Sequence, residues 1–525
     1  MGEQGLRGRA IRGIFWTVSG GGAHALFQLI FLVVLARLLE PRAFGVVAAA
    51  TVIFNIAGIS SRLGFGAALI QRAELDERYI CTAFYFFVLT GAAMVGLAQL
   101  AAAPIAAFFR MEGELTEVVR VLSLAILTTN FSEVAAALLR RNLRFKAFAA
   151  GTVISHLLGY GCMGVALAYF EFGVWALVGA QLAQCAVRTA IYLHLQPHPK
   201  AFHVDLAALR DLLSFGGGIT LYQVASNVAL QGDNLVVGRW LGAEALGLYG
   251  RAYQIAKAPV GMIGHGIVSV LFPTMAQLQH QGDRLAVAFR RSICATALFS
   301  LPLGLAMAIL APEVVWVMLG SRWQEVVLPL QILSIGLLFR MTFQVADSFA
   351  AAAGAVYRAA WRKLAYAVAV VCGALIGQRW GIAGVAVGVW AALAINFILM
   401  SHLLLRITGL PLRMFAAAFL PALFTTAILC GELALLRLAL RPFDLHPIAT
   451  LLIGVATAAL ILLLLVRSLP RLALGTDGIW VLEAILKHLP GRATKLRQLL
   501  LGGGSPSAVV LSPARAPLPQ RPLPD

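Results

Sequence analysis

The sequence predicts an all-α polytopic membrane protein with about fourteen transmembrane helices. Hydrophobic residues make up 60% of its 525 residues and charged residues only 12%, about half the charged fraction of a typical soluble domain. Apolar runs of about 20 residues, the length that crosses a bilayer, recur along the chain. A short phrase at 33–48 returns at 235–250. The repeat predicts two parallel six-helix lobes around a central cavity, with two appended helices.

The spans follow the apolar runs, and the loops between them are too short for a soluble nucleotide-binding or catalytic domain. The basic N-terminus leads into a run too long for a cleaved signal peptide, which predicts a retained first helix. The predicted spans are 14–36, 44–70, 80–108, 118–138, 149–170, 173–193, 211–237, 246–272, 292–312, 325–352, 363–378, 381–405, 414–436 and 447–466.

The net charge of +18 follows the topology. With the N-terminus inside, most lysines and arginines fall in inner loops and in the C-terminal tail, and few fall in outer loops. This asymmetry is the positive-inside rule, and it predicts that both termini are cytoplasmic. The basic charge therefore does not indicate a nucleic-acid partner.

The phrases "VVLARLLEPRAFGVVA" and "LVVGRWLGAEALGLYG" keep Arg37 in register with Arg239, and Gly45 with Gly247. Each phrase ends an outward helix, makes a short outer turn and begins the return helix. An even number of helices separates them, so the halves share one orientation, as in parallel-repeat transporters. The predicted division is 1–205 and 206–410 for the lobes, 411–468 for the appended helices, and 469–525 for a cytoplasmic tail.

A second echo is "SGGGA" at 19–23 and "FGGGI" at 215–219. Glycines inside a membrane helix permit close packing or bending. Both interpretations remain open: a packing surface, or a hinge for alternating access.

Ionised residues inside a span are expensive, so each is a functional candidate. Arg62, Arg251, Lys257 and Arg340 lie in predicted spans and are the candidate substrate-binding residues. A cavity with surplus cations suits phosphate or pyrophosphate, since the guanidinium fork matches phosphate oxygens. Arg251 could instead snorkel outwards, as Arg188 could inwards.

Two carboxylates in spans, Asp233 and Asp347, are candidates for coupling transport to a proton or sodium gradient. The alternative is structural pairing, of Asp233 with Arg239 and of Asp347 with Arg340. The six cysteines form no Cys-x-x-Cys pair, and "HLQPHPKAFH" at 194–203 is too irregular to predict a metal site. Motifs for ATP binding and for a nucleophile elbow are missing, so neither a cofactor nor an enzymatic activity is predicted.

The chain resembles a known family in several stretches over about residues 10–410. The Wzx-type polysaccharide flippases of the MOP exporter superfamily are similar to it, most of all the colanic-acid-type branch. The resemblance implies a MATE-like fold. It also implies a flippase in the bacterial cytoplasmic (inner) membrane that moves undecaprenyl-pyrophosphate-linked oligosaccharide repeat units outwards for exopolysaccharide, O-antigen or capsule synthesis. The stretches are "ARLLEPRAFGVVAAA", "RLGFGAALIQR", "GDNLVVGRWLGAEALGLYGRAYQIAKAPV", "VLFPTMAQLQ", "LAPEVVWVMLGSRWQ" and "GIAGVAVG".

The expected partners are therefore the lipid-linked oligosaccharide, membrane lipids, and polysaccharide polymerase or export proteins. A multidrug exporter of the same superfamily is one alternative, although cationic drugs would favour buried acids over the cations found here. A membrane glycosyltransferase would need a large outer loop, and a non-transporting member of an assembly complex is the remaining alternative. The stretch 479–501 reads as a basic amphipathic helix on the inner leaflet, followed by a Pro-rich disordered tail.

Overall fold

The computed structural model describes residues 3–62, 64–72, 75–201, 204–260, 282–443 and 445–487, and it is helical along nearly all of them. The described part contains no strand. The predicted all-α class is confirmed.

Six long helices make up the described part of the first half, and each overlaps a predicted span. The fifth is irregular, because a π-helical stretch at Leu157–Gly164 continues it into Val165–Tyr169. The helices are α1 (Glu3–Leu38), α2 (Pro41–Arg62), α3 (Glu77–Phe109), α4 (Glu114–Arg141), α5 (Phe145–His156 with its continuation) and α6 (Val174–Leu195).

The second half repeats the pattern. Its first helix starts where the Asp205 carboxylate accepts hydrogen bonds from the amides of Ala207, at 2.8 Å, and Ala208, at 3.2 Å, an N-cap. The helices are α7 (Leu206–Trp240), α8 (Gly242–Pro259), α9 (Gly282–Ile309), α10 (Val327–Ile335 and Leu337–Ala352), α11 (Val356–Gly377) and α12 (Gly381–Thr408). The end of the predicted span 246–272 lies outside the described residues.

Two predicted spans are broken at a glycine, although only Gly64 has a positive φ; Gly336 has φ −76°. The span 44–70 is divided between α2 and a short helix, Phe65–Gln71, because Gly64 adopts φ 67°, a conformation that glycine tolerates best. The span 325–352 bends by 45° at Gly336, between the two parts of α10. A uniform apolar run does not reveal such breaks.

The appended pair is α13 (Leu420–Leu440) and α14 (Pro447–Ser468), with α13 packed against α9 and α14 against α13. A last helix, α15 (Gly475–Lys487), docks on α9 through Arg290, whose guanidinium lies 2.9 Å from the Asp477 carboxylate. Arg291 stacks over Trp480 at 3.9 Å. The amphipathic stretch is therefore helical up to 487, and its remainder, with the Pro-rich tail, lies outside the described residues.

Ten described helical stretches are long and apolar enough to cross a membrane, and the bent pair in α10 would make eleven. One of the ten, Tyr357–Thr408, contains both α11 and α12. These two helices meet through glycine, because a Cβ at Gly373 or Gly377 would clash with the backbone of Gly388 or Gly384. The protein is a multi-pass membrane protein.

Candidate functional site: a polar cavity between the lobes

The two repeated phrases touch each other. A Cβ at Gly45 would overlap the carbonyl oxygen of Ala243, and a Cβ at Gly247 would overlap that of Pro41. Pro41 and Ala243 occupy matching places in the two phrases, so the contact is reciprocal. It relates the halves by a pseudo-twofold axis that passes between the glycines. We call this end of the bundle the turn end.

Two aromatic side chains reinforce the turn end in the same reciprocal way. Trp323 is fully buried and donates a hydrogen bond of 2.9 Å to the carbonyl of Ala36. Its ring lies edge-on to Phe44, with centroids 5.5 Å apart. Gly238, which corresponds to Ala36, faces Phe109: a Cβ there would lie 2.8 Å from the ring. Each half therefore places an aromatic residue against the first helix of the other half.

The repeated arginines also contact the opposite half of the molecule. Arg37 donates a hydrogen bond of 2.6 Å to the carbonyl of Val317 in the second half. Arg239 stacks over Phe108 of α3 at 5.5 Å and over its neighbour Trp240 at 5.7 Å. Because Arg239 faces these rings, it does not pair with Asp233 as one sequence alternative suggested.

Beside these contacts lies a cavity of about 460 Å³, walled by α1, α2, α5 and α6 of the first half and by α7 and α8 of the second. Most of its polar groups are uncharged carboxamides. Among the described residues that line it there is no carboxylate. The polar lining residues are His24, Gln28, Thr51, His156, Tyr160, Gln181, Gln184, Gln231, Asn234, Arg251 and Gln254.

Arg251 is the one Arg or Lys among the described lining residues. Its guanidinium lies over the Phe44 ring at 4.5 Å, and its Nε is buried without a hydrogen-bond partner. The stacking holds the cation in the cavity wall while leaving its donors free. It therefore does not snorkel outwards.

A second polar group lies inside the second half. Asp233 is 1% exposed and accepts a hydrogen bond of 2.7 Å from the Tyr249 hydroxyl. Arg340, 8% exposed, lies over the Tyr253 ring at 4.4 Å. Lys257, one helical turn beyond Tyr253, is exposed yet interacts electrostatically with both Arg340 and Asp233.

Two predicted site residues have partners elsewhere. Arg62 lies 3.6 Å from the Glu133 carboxylate, which Arg140 also approaches at 3.3 Å. Asp347 binds Lys363 at 2.7 Å and therefore does not pair with Arg340. The seven-residue spacing places Asp347 and Arg340 on one helix face, but α11 supplies a nearer cation.

The histidine loop between α6 and α7 shows no metal geometry. No group of three or more His, Cys, Asp or Glu side chains gathers among the described residues, and His203 lies outside them. Burial lowers the pKa of His198, whose ring packs edge-on against Phe84 at 5.3 Å.

The sequence analysis singled out Arg251 among the cavity residues but gave no reason to choose His156, Gln181, Gln184 and Gln254. A glutamine in a membrane span carries no charge that would single it out. The available signal was that these amides share helices with the repeat and its neighbours.

Comparison with known proteins agrees with this architecture. A family model described as polysaccharide biosynthesis protein matches residues 34–328, more than half of the chain. The lipopolysaccharide biosynthesis protein WzxC of Escherichia coli (strain K12) is 25% identical over 407 residues, which is 76% of this chain and 82% of that protein. The succinoglycan biosynthesis transport protein ExoT of Rhizobium meliloti (strain 1021) is 27% identical over 329 residues, 62% of this chain and 66% of that one.

Among solved structures, the lipid II flippase MurJ in an inward closed conformation superposes with a TM-score of 0.70. It is 14% identical, and the match covers 88% of this chain and 99% of that one. The predicted two-lobe MOP fold with appended helices is confirmed. With the family match over more than half of its length, the chain belongs to the polysaccharide biosynthesis protein family.

Proposed function

We propose that this protein is a flippase that moves undecaprenyl-pyrophosphate-linked oligosaccharide repeat units across the bacterial inner membrane for exopolysaccharide, O-antigen or capsule synthesis. The single observation that carries the proposal is the cavity, which combines carboxamides with one unpaired guanidinium. Both termini are cytoplasmic in this proposal. Similarity to ExoT, a succinoglycan biosynthesis transport protein, and to MurJ, a lipid II flippase, supports it.

The cavity chemistry matches such a cargo. Carboxamides both donate and accept hydrogen bonds, as sugar hydroxyls do. Phe31, Phe44 and Tyr160 add flat surfaces beside these amides. The cavity volume lies in the range of ligand pockets, about 300–1,000 Å³. It can therefore hold part of a glycan head group while the lipid tail stays in the membrane.

We assign Arg251 as the anion-binding residue, because its donors are free and no carboxylate lines the cavity. Lys257 is the second substrate cation, exposed on the same helix. Arg62 is paired with Glu133, so it acts on the cargo through long-range charge rather than through a free fork. Arg340 lies over the Tyr253 ring and keeps its Nη2 buried without a hydrogen-bond partner. Asp233 and Asp347 stay candidates for ion coupling.

A multidrug exporter for cationic drugs is less well supported. Such a cargo would need a carboxylate in the cavity, and Asp233 instead faces Tyr249. The same observation does not separate a flippase from a non-transporting assembly partner, so the experiment has to do so.

The test is clearance of lipid-linked oligosaccharide from the cytoplasmic face in a deletion strain that carries wild type, Arg251→Ala or Arg322→Ala, at matched expression. Arg322 is an exposed arginine and serves as the control. Loss of a charged hydrogen bond, about 1.5–3 kcal/mol, predicts a fall of about tenfold to hundredfold in clearance for Arg251→Ala only.

Full clearance by Arg251→Ala would remove this residue from the site. If the deletion caused no build-up at all, the flippase proposal itself would fail. A change in drug sensitivity instead would move the exporter to first place.

A further inference from the structure

Two histidines face each other in the cavity wall, and the proposed cargo contacts do not use them. The rings of His24 on α1 and His156 on α5 have centroids 4.8 Å apart and are tilted by 50°. His156 is 4% exposed. By strict hydrogen-bond geometry, three of the four ring nitrogens of the pair are buried without a partner, although the Gln184 side chain lies within reach of His156. Such orphaned polar atoms cost stability, so the arrangement calls for a function.

The backbone is shaped around this pair. The π-helical stretch Leu157–Gly164 begins directly after His156, and π-helical turns are frequent at functional sites. Within it, a Cβ at Gly159 would lie 2.6 Å from the Cβ of Gln184, so α5 and α6 approach closely. This packing holds the imidazole against the cavity.

The charged and titratable groups that face the pair are mostly cationic or neutral. Arg188 on α6 interacts electrostatically with His24, and Tyr160 on α5 stacks against His156 with centroids 4.9 Å apart. Arg251 on α8 interacts in turn with Tyr160, as does Cys185 on α6. The lining residues of α2 and α7 are uncharged. The carboxylates of the packed helices are engaged away from the pair: Glu133 of α4 by Arg62, and Asp233 of α7 by Tyr249.

We infer that His24 and His156 form a proton-binding site that fills when an anionic group enters the cavity. Two neutral rings can share one N–H···N hydrogen bond, and an added proton makes that bond charge-assisted and therefore stronger, while it gives the protonated ring a second donor that can face the anion. In the empty cavity, repulsion from the nearby arginines disfavours the positive charge of a protonated histidine. The negative charge of an incoming anion offsets that repulsion. The proton comes from solution, and no covalent bond is made or broken.

This inference rests on the proposed function, because the anion is part of the cargo. Two groups of a lipid-linked glycan carry suitable anionic oxygens, the pyrophosphate and the carboxylate of an acidic sugar. Both would act on the pair through charge, so the test treats them as separate arms.

The experiment is titration calorimetry of the full-length protein in nanodiscs, run in two buffers of different ionisation enthalpy, which counts the protons taken up per bound probe. The probes are farnesyl pyrophosphate, a glucuronate-containing disaccharide, and uncharged farnesol. The variants are His24→Gln, His156→Gln and the control His198→Gln, a half-buried histidine outside the cavity. Comparison between variants cancels the titration of the probe itself.

We expect wild type and His198→Gln to take up about one proton more than either cavity variant, with affinity rising up to about tenfold per pH unit of acidification. Farnesol should bring no uptake. The anionic probe that produces the difference identifies the anion source. Asparagine variants at both positions repeat the test if a glutamine variant does not fold.

Equal proton counts in wild type and both cavity variants would overturn the inference and leave the flippase intact. Uptake driven equally by farnesol would also overturn it, since the linkage to an anion would be lost. If neither anionic probe bound wild type, the inference would fall together with the anion-binding basis of the proposed function.

Discussion

The two halves of the molecule share a backbone phrase and differ in their polar side chains. At the turn end they match residue for residue, with Gly45 against Ala243 and Gly247 against Pro41. Away from it, the buried carboxylate of Asp233 is satisfied by the Tyr249 hydroxyl, whereas His156 of the first half and Arg251 of the second half keep buried nitrogens without a partner beside the cavity. The difference separates polar groups that stabilise the fold from those left for a ligand.

The largest expected effect comes from changing the turn end, which the two halves build from matching residues. Gly45→Leu places a side chain where the carbonyl of Ala243 lies, so the turn end cannot close, and we expect loss of transport at normal expression. Lipid-linked oligosaccharide clearance measures it. Gly96→Leu in α3 is the matched control, since a Cβ there meets no atom within 4 Å. Normal clearance by Gly45→Leu would show that closure at this contact is not needed.

The second-largest expected effect comes from removing the buried carboxylate of Asp233. Asp233→Ala leaves the buried Tyr249 hydroxyl without its acceptor, which should destabilise the protein by about 1–3 kcal/mol. The Tm in detergent should fall. Asp347→Ala removes a carboxylate that is 33% exposed and bound to Lys363, so we expect a smaller fall in Tm than for the fully buried Asp233. Equal shifts in Tm for the two variants would contradict the inference that Asp233 stabilises the fold more than Asp347 does.

The third-largest expected effect comes from removing a polar side chain of the cavity wall. Gln181 lines the cavity, and Gln181→Leu keeps its size while removing one hydrogen-bonding group. We expect transport to fall about twofold to tenfold, in line with about 0.5–1.5 kcal/mol for one hydrogen bond, with Tm unchanged. A lower Tm with unchanged transport would place Gln181 among the structural groups instead.

The smallest effect separates two roles for Arg62. If its main task is to neutralise Glu133, 3.6 Å away, Arg62→Gln reduces transport modestly and the double variant with Glu133→Gln restores it. We expect this rescue, measured by the same clearance assay. A double variant as impaired as Arg62→Gln would instead support direct substrate binding by Arg62.

Much of the fold was readable from the sequence because a bilayer imposes length and hydropathy on each helix. The breaks at Gly64 and Gly336 were not readable, since a glycine in an apolar run has the same composition whether it bends the helix or not. The four cations and two acids proposed as site residues were visible as charges. Their partners were not, because spacing along one helix says nothing about which neighbouring helix packs against it.

The repeated phrase shows most clearly which features can be predicted from the sequence and which only the structure reveals. By itself the sequence determined that Arg37 and Arg239, and Gly45 and Gly247, belong to equivalent turns, because a duplicated pattern survives in the order of residues. Only the tertiary structure decided that the glycines meet, that each arginine reaches the other half, and that a polar cavity lies beside them. Those contacts join residues hundreds of positions apart, and helix packing across the pseudo-twofold axis brings them together.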